Sequence, residues 1–164
     1  MLTRRQVLNG SLKGLAVMSA GALVLPGSGR AATSDQIAHT DAEWRKMLSA
    51  DQYAVLRQEG TERPFTSPLL HEERAGTFAC AGCDLPLFSS KTKFDSGTGW
   101  PSFWAPLDDA VITARDNSYG MTRTAVTCRR CAGHLGHVFD DGPKPTWLRY
   151  CMNGLALKFN PDAA

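Results

Sequence analysis

The chain has 164 residues, a formal charge of +2 and five cysteines. That length fits one compact domain and excludes a multidomain machine, while 43% hydrophobic and 21% charged residues exclude wholesale disorder and a fibrous or coiled-coil chain. A charge so near zero gives no reason to expect nucleic acid as a partner. An odd cysteine count cannot be fully paired within the chain, so at least one thiol is free, bridges to another chain or binds a metal.

The basic excess comes first in the chain. Residues 1–31 carry Arg4, Arg5, Lys13 and Arg30 and no acid, which leaves 14 bases against 16 acids, a net of −2, for the remainder. Arg4-Arg5 precede an apolar run from Leu15 to Leu25, then Pro26, Gly27 and the small residues Ala31-Ala32. The run is too short for a hydrocarbon core of about 30 Å, which takes roughly 20 residues. A basic start, a short apolar stretch and a small-residue exit read instead as a signal peptide. An attached amphipathic helix is the alternative, but the segment lacks a charged helical face. The twin arginines in Thr3-Arg4-Arg5-Gln6-Val7-Leu8 look like a twin-arginine export signal. The expectation is a periplasmic protein with a working domain over 32–164 and no stable membrane association after signal removal. No cysteine lies near the exit to carry a lipid anchor.

After the leader, Thr40 with Glu43 and Ser49 with Gln52 have capping-box spacing. They predict a short helix near 41–48 and a second near 50–59, with Gly60 as the C-terminal stop. Beyond Gly60, Gly, Pro, Ser, Thr and Asp recur every few residues and no long 3.6-residue period appears, which predicts short strands and turns in a mainly antiparallel β structure. The stretch from Trp147 to Phe159 is the most readable strand. Extended, it places Arg149, Cys151 and Asn153 side by side on one face.

Cys80-Ala81-Gly82-Cys83 and Cys128-Arg129-Arg130-Cys131 are two C-x-x-C units separated by 44 residues. Two such turns supply the four-thiolate tetrahedron that zinc prefers, and four thiolates leave no open position, so the zinc would be structural. Two disulfides, or a pair of redox motifs, are the alternatives. Cys151 is left over. Its sequence neighbour Arg149 would lower the thiol pKa and raise the thiolate fraction, whereas the plain alternative is a buried structural cysteine. His134-Leu135-Gly136-His137-Val138-Phe139 follows the second cysteine pair, and its imidazoles could donate protons or be ordinary turn polar groups. Gly99-Trp100-Pro101-Ser102-Phe103 reads equally as a packed loop or as one wall of a small apolar pocket.

With C-x-x-C, GWPSF, C-x-x-C, HLGHVF and RYCMN in this order, the sequence resembles the methionine sulfoxide reductase B family from near Asp41 to about Phe159. The resemblance implies two antiparallel sheets with short N-terminal helices, clamped by one structural zinc ion on Cys80, Cys83, Cys128 and Cys131. It implies Cys151 as the nucleophile, with Trp100, His134, His137, Phe139, Arg149 and Asn153 around it, and reduction of the R epimer of methionine sulfoxide in oxidised proteins or as the free amino acid. Cys151 would attack the sulfoxide sulfur. His134 and His137 would orient and protonate the oxygen, with His137 the preferred donor, and Trp100 would contact the methyl group. The thiol would end as a sulfenic acid. Many family members carry a second, resolving cysteine just before GWPSF, where this chain has Thr98. The implied reductant is therefore external, a thioredoxin-like protein or a small thiol. A zinc-clamped module that binds oxidised or unfolded proteins without chemistry is the rival reading. A cysteine hydrolase fits less well, because Cys151 falls within a strand rather than at a helix N-terminus.

Overall fold

The computed structural model describes residues 36–163; the leader, with its twin arginines and exit, lies outside the described residues. Two helices open the described chain, α1 (Asp41–Met47) and α2 (Ala50–Gln58). Both capping boxes form: the Thr40 and Ser49 side chains accept from the Glu43 and Gln52 N–H groups, and each partner side chain reaches back to the cap N–H. The helices bury Trp44, Tyr53, Val55 and Leu56. The left-handed turn that ends α2 falls on Glu59 (φ 57°), one residue before the expected glycine. Gly60 serves close approach instead, since a Cβ there would lie 2.9 Å from the Ala54 carbonyl oxygen.

The rest is β structure in two antiparallel sheets, as expected. A three-stranded sheet has the order β2 (Pro86–Ser89), β1 (Gly76–Cys80), β9 (Leu157–Pro161). A six-stranded sheet runs β3 (Lys93–Phe94), β4 (Ser102–Phe103), β8 (Arg149–Met152), β7 (His134–Phe139), β6 (Arg123–Cys128), β5 (Val111–Asp116). Fully buried Phe78 and Phe88 from the first sheet meet Phe103 from the second, with ring centroids 5.0 and 4.4 Å apart. Burying such rings contributes on the order of 2 to 3 kcal/mol each.

The stretch from Trp147 to Phe159 is not one strand. Trp147 is exposed with φ 62°, and a 3₁₀ turn at Gly154–Ala156 divides β8 from β9, which belong to different sheets. The cause is Glu62. Its buried carboxylate accepts the Gly154 and Leu155 N–H groups, so the chain turns there to change sheets. Burial pushes the Glu62 carboxyl pKa up, opposed by those two N–H bonds. Among the described residues, no helix is long and apolar enough to cross a membrane.

Candidate active site and metal centre

Cys80 ends β1 and Cys128 ends β6, and each begins a knuckle that returns its second cysteine beside the first. The two knuckles match. Cys80 N–H donates to Leu85 O and Asp84 N–H to Cys80 O; Cys128 N–H donates to Gly133 O and Ala132 N–H to Cys128 O, all at 2.8–2.9 Å. Asp84 and Ala132 both take left-handed φ, at 58° and 55°. The four sulfurs lie within 4.8 Å of one another, with Cys80–Cys131 at 3.6 Å and Cys83–Cys128 at 3.5 Å. A zinc–sulfur bond of about 2.3 Å implies a tetrahedron edge of about 3.8 Å. All five thiols are free, and the shortest separations join the two motifs rather than the ends of one. The cluster is therefore a four-sulfur cage that fits a metal ion and not a pair of disulfides. Clamping it ties β1 to β6 and fixes the start of β7 only three residues beyond Cys131.

The strand register assembles the other site. Cys151 on β8 lies between His137 of β7 and Ser102 of β4, its partners across the sheet, and partners share a face. The thiol borders a cleft of about 130 Å³ lined by Trp100, His137, Phe139, Cys151 and Asn153, together with Thr61, Arg123 and Gly136. The indole Nε1 of Trp100 donates to Glu62 O at 3.1 Å, which fixes the ring as one wall. Asn153 uses both ends of its amide for structure, donating to Leu135 O and accepting from Glu62 N–H, each at 3.0 Å. Arg149 and His134, also expected at the site, do not line the cleft. Arg149 is clamped in a two-point pair with Asp141, both contacts at 2.8 Å, and lies 4.4 Å over the Phe139 ring. Burial pushes the Cys151 thiol pKa up, and the Thr98 hydroxyl and then Arg149 oppose it, so the net shift is upward, contrary to the lowering expected from Arg149.

Thr61, Glu62 and Arg123 escaped the sequence, and so did three further residues that shape the site. Asp116, at the end of β5, holds His137 Nε2 at 2.8 Å and Arg123 Nη2 at 2.7 Å with the same oxygen. Hydrogen bonds from Ser118 and then His137 hold its carboxyl well below the usual carboxylate range. Asp141 is the second and Gly136 the third. A Cβ at Gly136 would stand 2.1 Å from the Cys151 carbonyl oxygen, so only glycine lets β7 and β8 approach this closely.

Behind Cys151 runs a chain of hydroxyls: Thr98 Oγ1 at 3.8 Å from the sulfur, Ser96 Oγ 2.8 Å further, then Ser102 Oγ at 2.7 Å, which donates to Trp100 O at 3.2 Å. With its last proton on that carbonyl, every hydroxyl accepts from its neighbour and the chain ends on a donating Cys151 S–H. Reversed, it ends with Thr98 donating to a thiolate. Hydrogen bonds to charged groups are worth about 1.5–3 kcal/mol and one pH unit is about 1.4 kcal/mol. Thr98→Val is thus expected to raise the pH midpoint of Cys151 alkylation by about one unit, with recovery in Thr98→Ser; an unchanged midpoint in Thr98→Val would contradict this role.

His134 is 4% exposed and its Nε2 has no partner. Burial lowers its pKa to about 4, with His137, at 5.3 Å between ring centroids, the next cause. The unfolded chain binds a proton near pH 6.5 that the folded chain refuses until about 4. This group's stabilisation is therefore complete above pH 6.5 and is lost as pH falls from 6.5 towards 4. In paired melts of wild type and His134→Gln, the wild type is expected to lose up to about 3 kcal/mol more over that interval; parallel profiles would contradict it.

These features define a candidate thiol-centred site and a four-cysteine cluster that could hold a metal ion. The SelR domain family matches residues 48–161. The chain is 61% identical over 127 residues to the peptide methionine sulfoxide reductase MsrB of Pseudomonas putida (strain W619), covering 77% of this chain and 96% of that protein. The protein of the same name from Bradyrhizobium diazoefficiens is 53% identical over 138 residues, 84% of this chain and 99% of its own. That of Agrobacterium fabrum is 52% identical over 130 residues, 79% and 96% respectively. The chain belongs to the peptide methionine sulfoxide reductase MsrB family.

Proposed function

We propose that the protein reduces the R epimer of methionine sulfoxide, in oxidised proteins and as the free amino acid, to methionine through Cys151. The observation that carries this reading is the row Ser102–Cys151–His137, which sets a thiol beside an imidazole bonded to Asp116 in a cleft the size of a side-chain end. The thiolate sulfur attacks the sulfoxide sulfur. As the S–O bond breaks, His137 supplies the proton the oxygen requires and Asp116 stabilises the imidazolium. The oxygen then adds to the Cys151 sulfur as water or hydroxide, and the new S–S bond breaks with its electron pair returning to the substrate sulfur. The net exchange converts thiol plus sulfoxide to sulfenic acid plus sulfide, so atoms and electrons balance. Trp100 and Phe139 receive the methyl group while His137 receives the oxygen, and fixing both substituents selects one epimer. Arg149, held by Asp141, acts on the thiolate through charge. Asn153 positions Cys151 by tying β8 to Leu135 and Glu62, and His134, neutral through burial, supports the His137 ring.

The remaining four cysteines form the metal cage, which we assign to one structural zinc ion, and Thr98 stands beside the sulfur. The sulfenic acid is then reduced by an external thioredoxin-like protein or small thiol, two thiols giving water, a disulfide and the restored Cys151. The leader over 1–31 would direct the protein by the twin-arginine route to the periplasm, with the metal loaded before export. Turnover of the two separated epimers with dithiothreitol tests the reading. Wild type is expected to act on the R epimer alone, and Cys151→Ser to lose at least about a thousandfold. Activity on neither epimer, or equal activity in the variant, would favour a binding module instead.

A further inference from the structure

The cleft of about 130 Å³ is smaller than the roughly 300–1,000 Å³ of ordinary ligand sites. It admits the end of one side chain, so the main chain of a protein substrate must lie outside it. The strand register shows where space opens. The row that carries Ser102, Cys151 and His137 continues across the same sheet face to Ala125 of β6 and Ala114 of β5, the edge strand. Two alanines in succession leave a trough where larger side chains would fill the face. This trough is a groove of about 690 Å³ that shares Thr61, Arg123 and His137 with the cleft.

Its walls are firm. On one side runs the end of α2 with Glu59, Gly60 and Thr61, and on the other the turn after β5 that carries Tyr119. That turn is pinned by Ser118 N–H to Asp116 (2.8 Å), Arg123 to Ser118 (3.1 Å), and Arg115 and Thr122 to Asn117 (3.2 Å each). It nonetheless leaves the Tyr119 ring 88% exposed at the rim. Two polar atoms of residues in the wall lack a partner, Nε of Arg123 and Nε2 of His134, and His134 is only 4% exposed. A buried ring nitrogen without a hydrogen bond costs on the order of 1–3 kcal/mol, which a ligand amide placed there recovers.

Resting on the reductase reading, we infer that this groove is a subsite for the polypeptide flanking the oxidised methionine. The substrate main chain lies along the Ala125–Ala114 trough towards the β5 edge, with an amide group bonded to His134 Nε2 and a flanking side chain against Tyr119. The occupant is a polypeptide because the groove is continuous with the cleft that takes its methionine side chain. A second groove, of about 650 Å³, shares Arg123 and Phe139 with the cleft but includes the opposite sheet face at Thr113, Thr124 and Val138, and serves as the control.

The test compares free methionine-(R)-sulfoxide with a short blocked peptide containing one central methionine-(R)-sulfoxide, both with dithiothreitol. Ala114 and Thr113 are exposed neighbours on β5; Ala114 borders both grooves, whereas Thr113 borders the second groove and not the proposed subsite, so a loss that is shared by the two variants belongs to the second groove. Ala114→Trp is expected to lower kcat/KM for the peptide at least about tenfold while leaving the free amino acid within about twofold, and Tyr119→Ala to act in the same direction more weakly. Thr113→Trp is expected to change neither. Equal losses on both substrates in Ala114→Trp, no loss on the peptide, or the same selective loss in Thr113→Trp would overturn the subsite. Wild type inert on both substrates would instead refute the reductase reading beneath it.

Discussion

Cys128→Ser, or exhaustive removal of the bound metal, is expected to abolish cooperative unfolding near physiological temperature, while Cys151→Ser leaves the melting temperature within a few degrees of wild type. The cage joins β1 of the small sheet to β6 of the large one, and three of its cysteines lie in the hydrophobic core with Cys83 packed against it, so losing the metal leaves their sulfurs to be packed there. Structural zinc contributes about 10–16 kcal/mol in finger peptides, against a net stability of about 5–15 kcal/mol for a whole domain. Without the metal, four sulfurs within 4.8 Å must be packed as thiols or repel as thiolates. Thermal melts followed by circular dichroism, with metal content measured on the same samples, check this. A Cys128→Ser melt indistinguishable from wild type would show that the cage contributes little.

Gly136→Ala is expected to lower kcat/KM at least about a hundredfold, although the added methyl group touches no substrate. The new Cβ would lie 2.1 Å from the Cys151 carbonyl oxygen and 3.0 Å from Met152 Cα, both backbone atoms that cannot rotate away. Relief requires β7 and β8 to part by about 1 Å, and a displacement of that size between reacting groups costs about 10²-fold. It separates His137 from Cys151, because the two strands carry one each. Gly97→Ala and Gly120→Ala are the controls. Both glycines have left-handed φ, 69° and 70°, but open space where a Cβ would go, so they lose about 1 kcal/mol of stability and keep their activity. Wild-type kinetics in Gly136→Ala would remove close strand approach from the account.

The sequence made local features legible and left distant ones hidden. Capping boxes are written within four residues, so both helices could be placed to within one residue at each end. The two C-x-x-C units could be joined across 44 residues because four-thiol chemistry supplies the partner. The 147–159 stretch was misleading because alternation continues past Asn153, while the feature that breaks the strand is Glu62, some 90 residues earlier in the chain. Asp116 was invisible for a similar reason. It reaches His137 only once β5, β6 and β7 are in register, the partners being 21 positions apart in sequence. The spacing places Arg149 beside Cys151 but carries no sign of Asp141, which holds the guanidinium, nor of the burial that outweighs its charge at the thiol.

The most direct test of Cys151 as an oxygen acceptor is a single turnover without reductant. Reduced protein mixed with an equimolar amount of methionine-(R)-sulfoxide should yield one equivalent of methionine and one added oxygen on Cys151, trapped by a sulfenic-acid reagent and located by peptide mass spectrometry. Methionine formed with Cys151 unmodified, or with oxidation or a disulfide among Cys80, Cys83, Cys128 and Cys131 instead, would contradict the account.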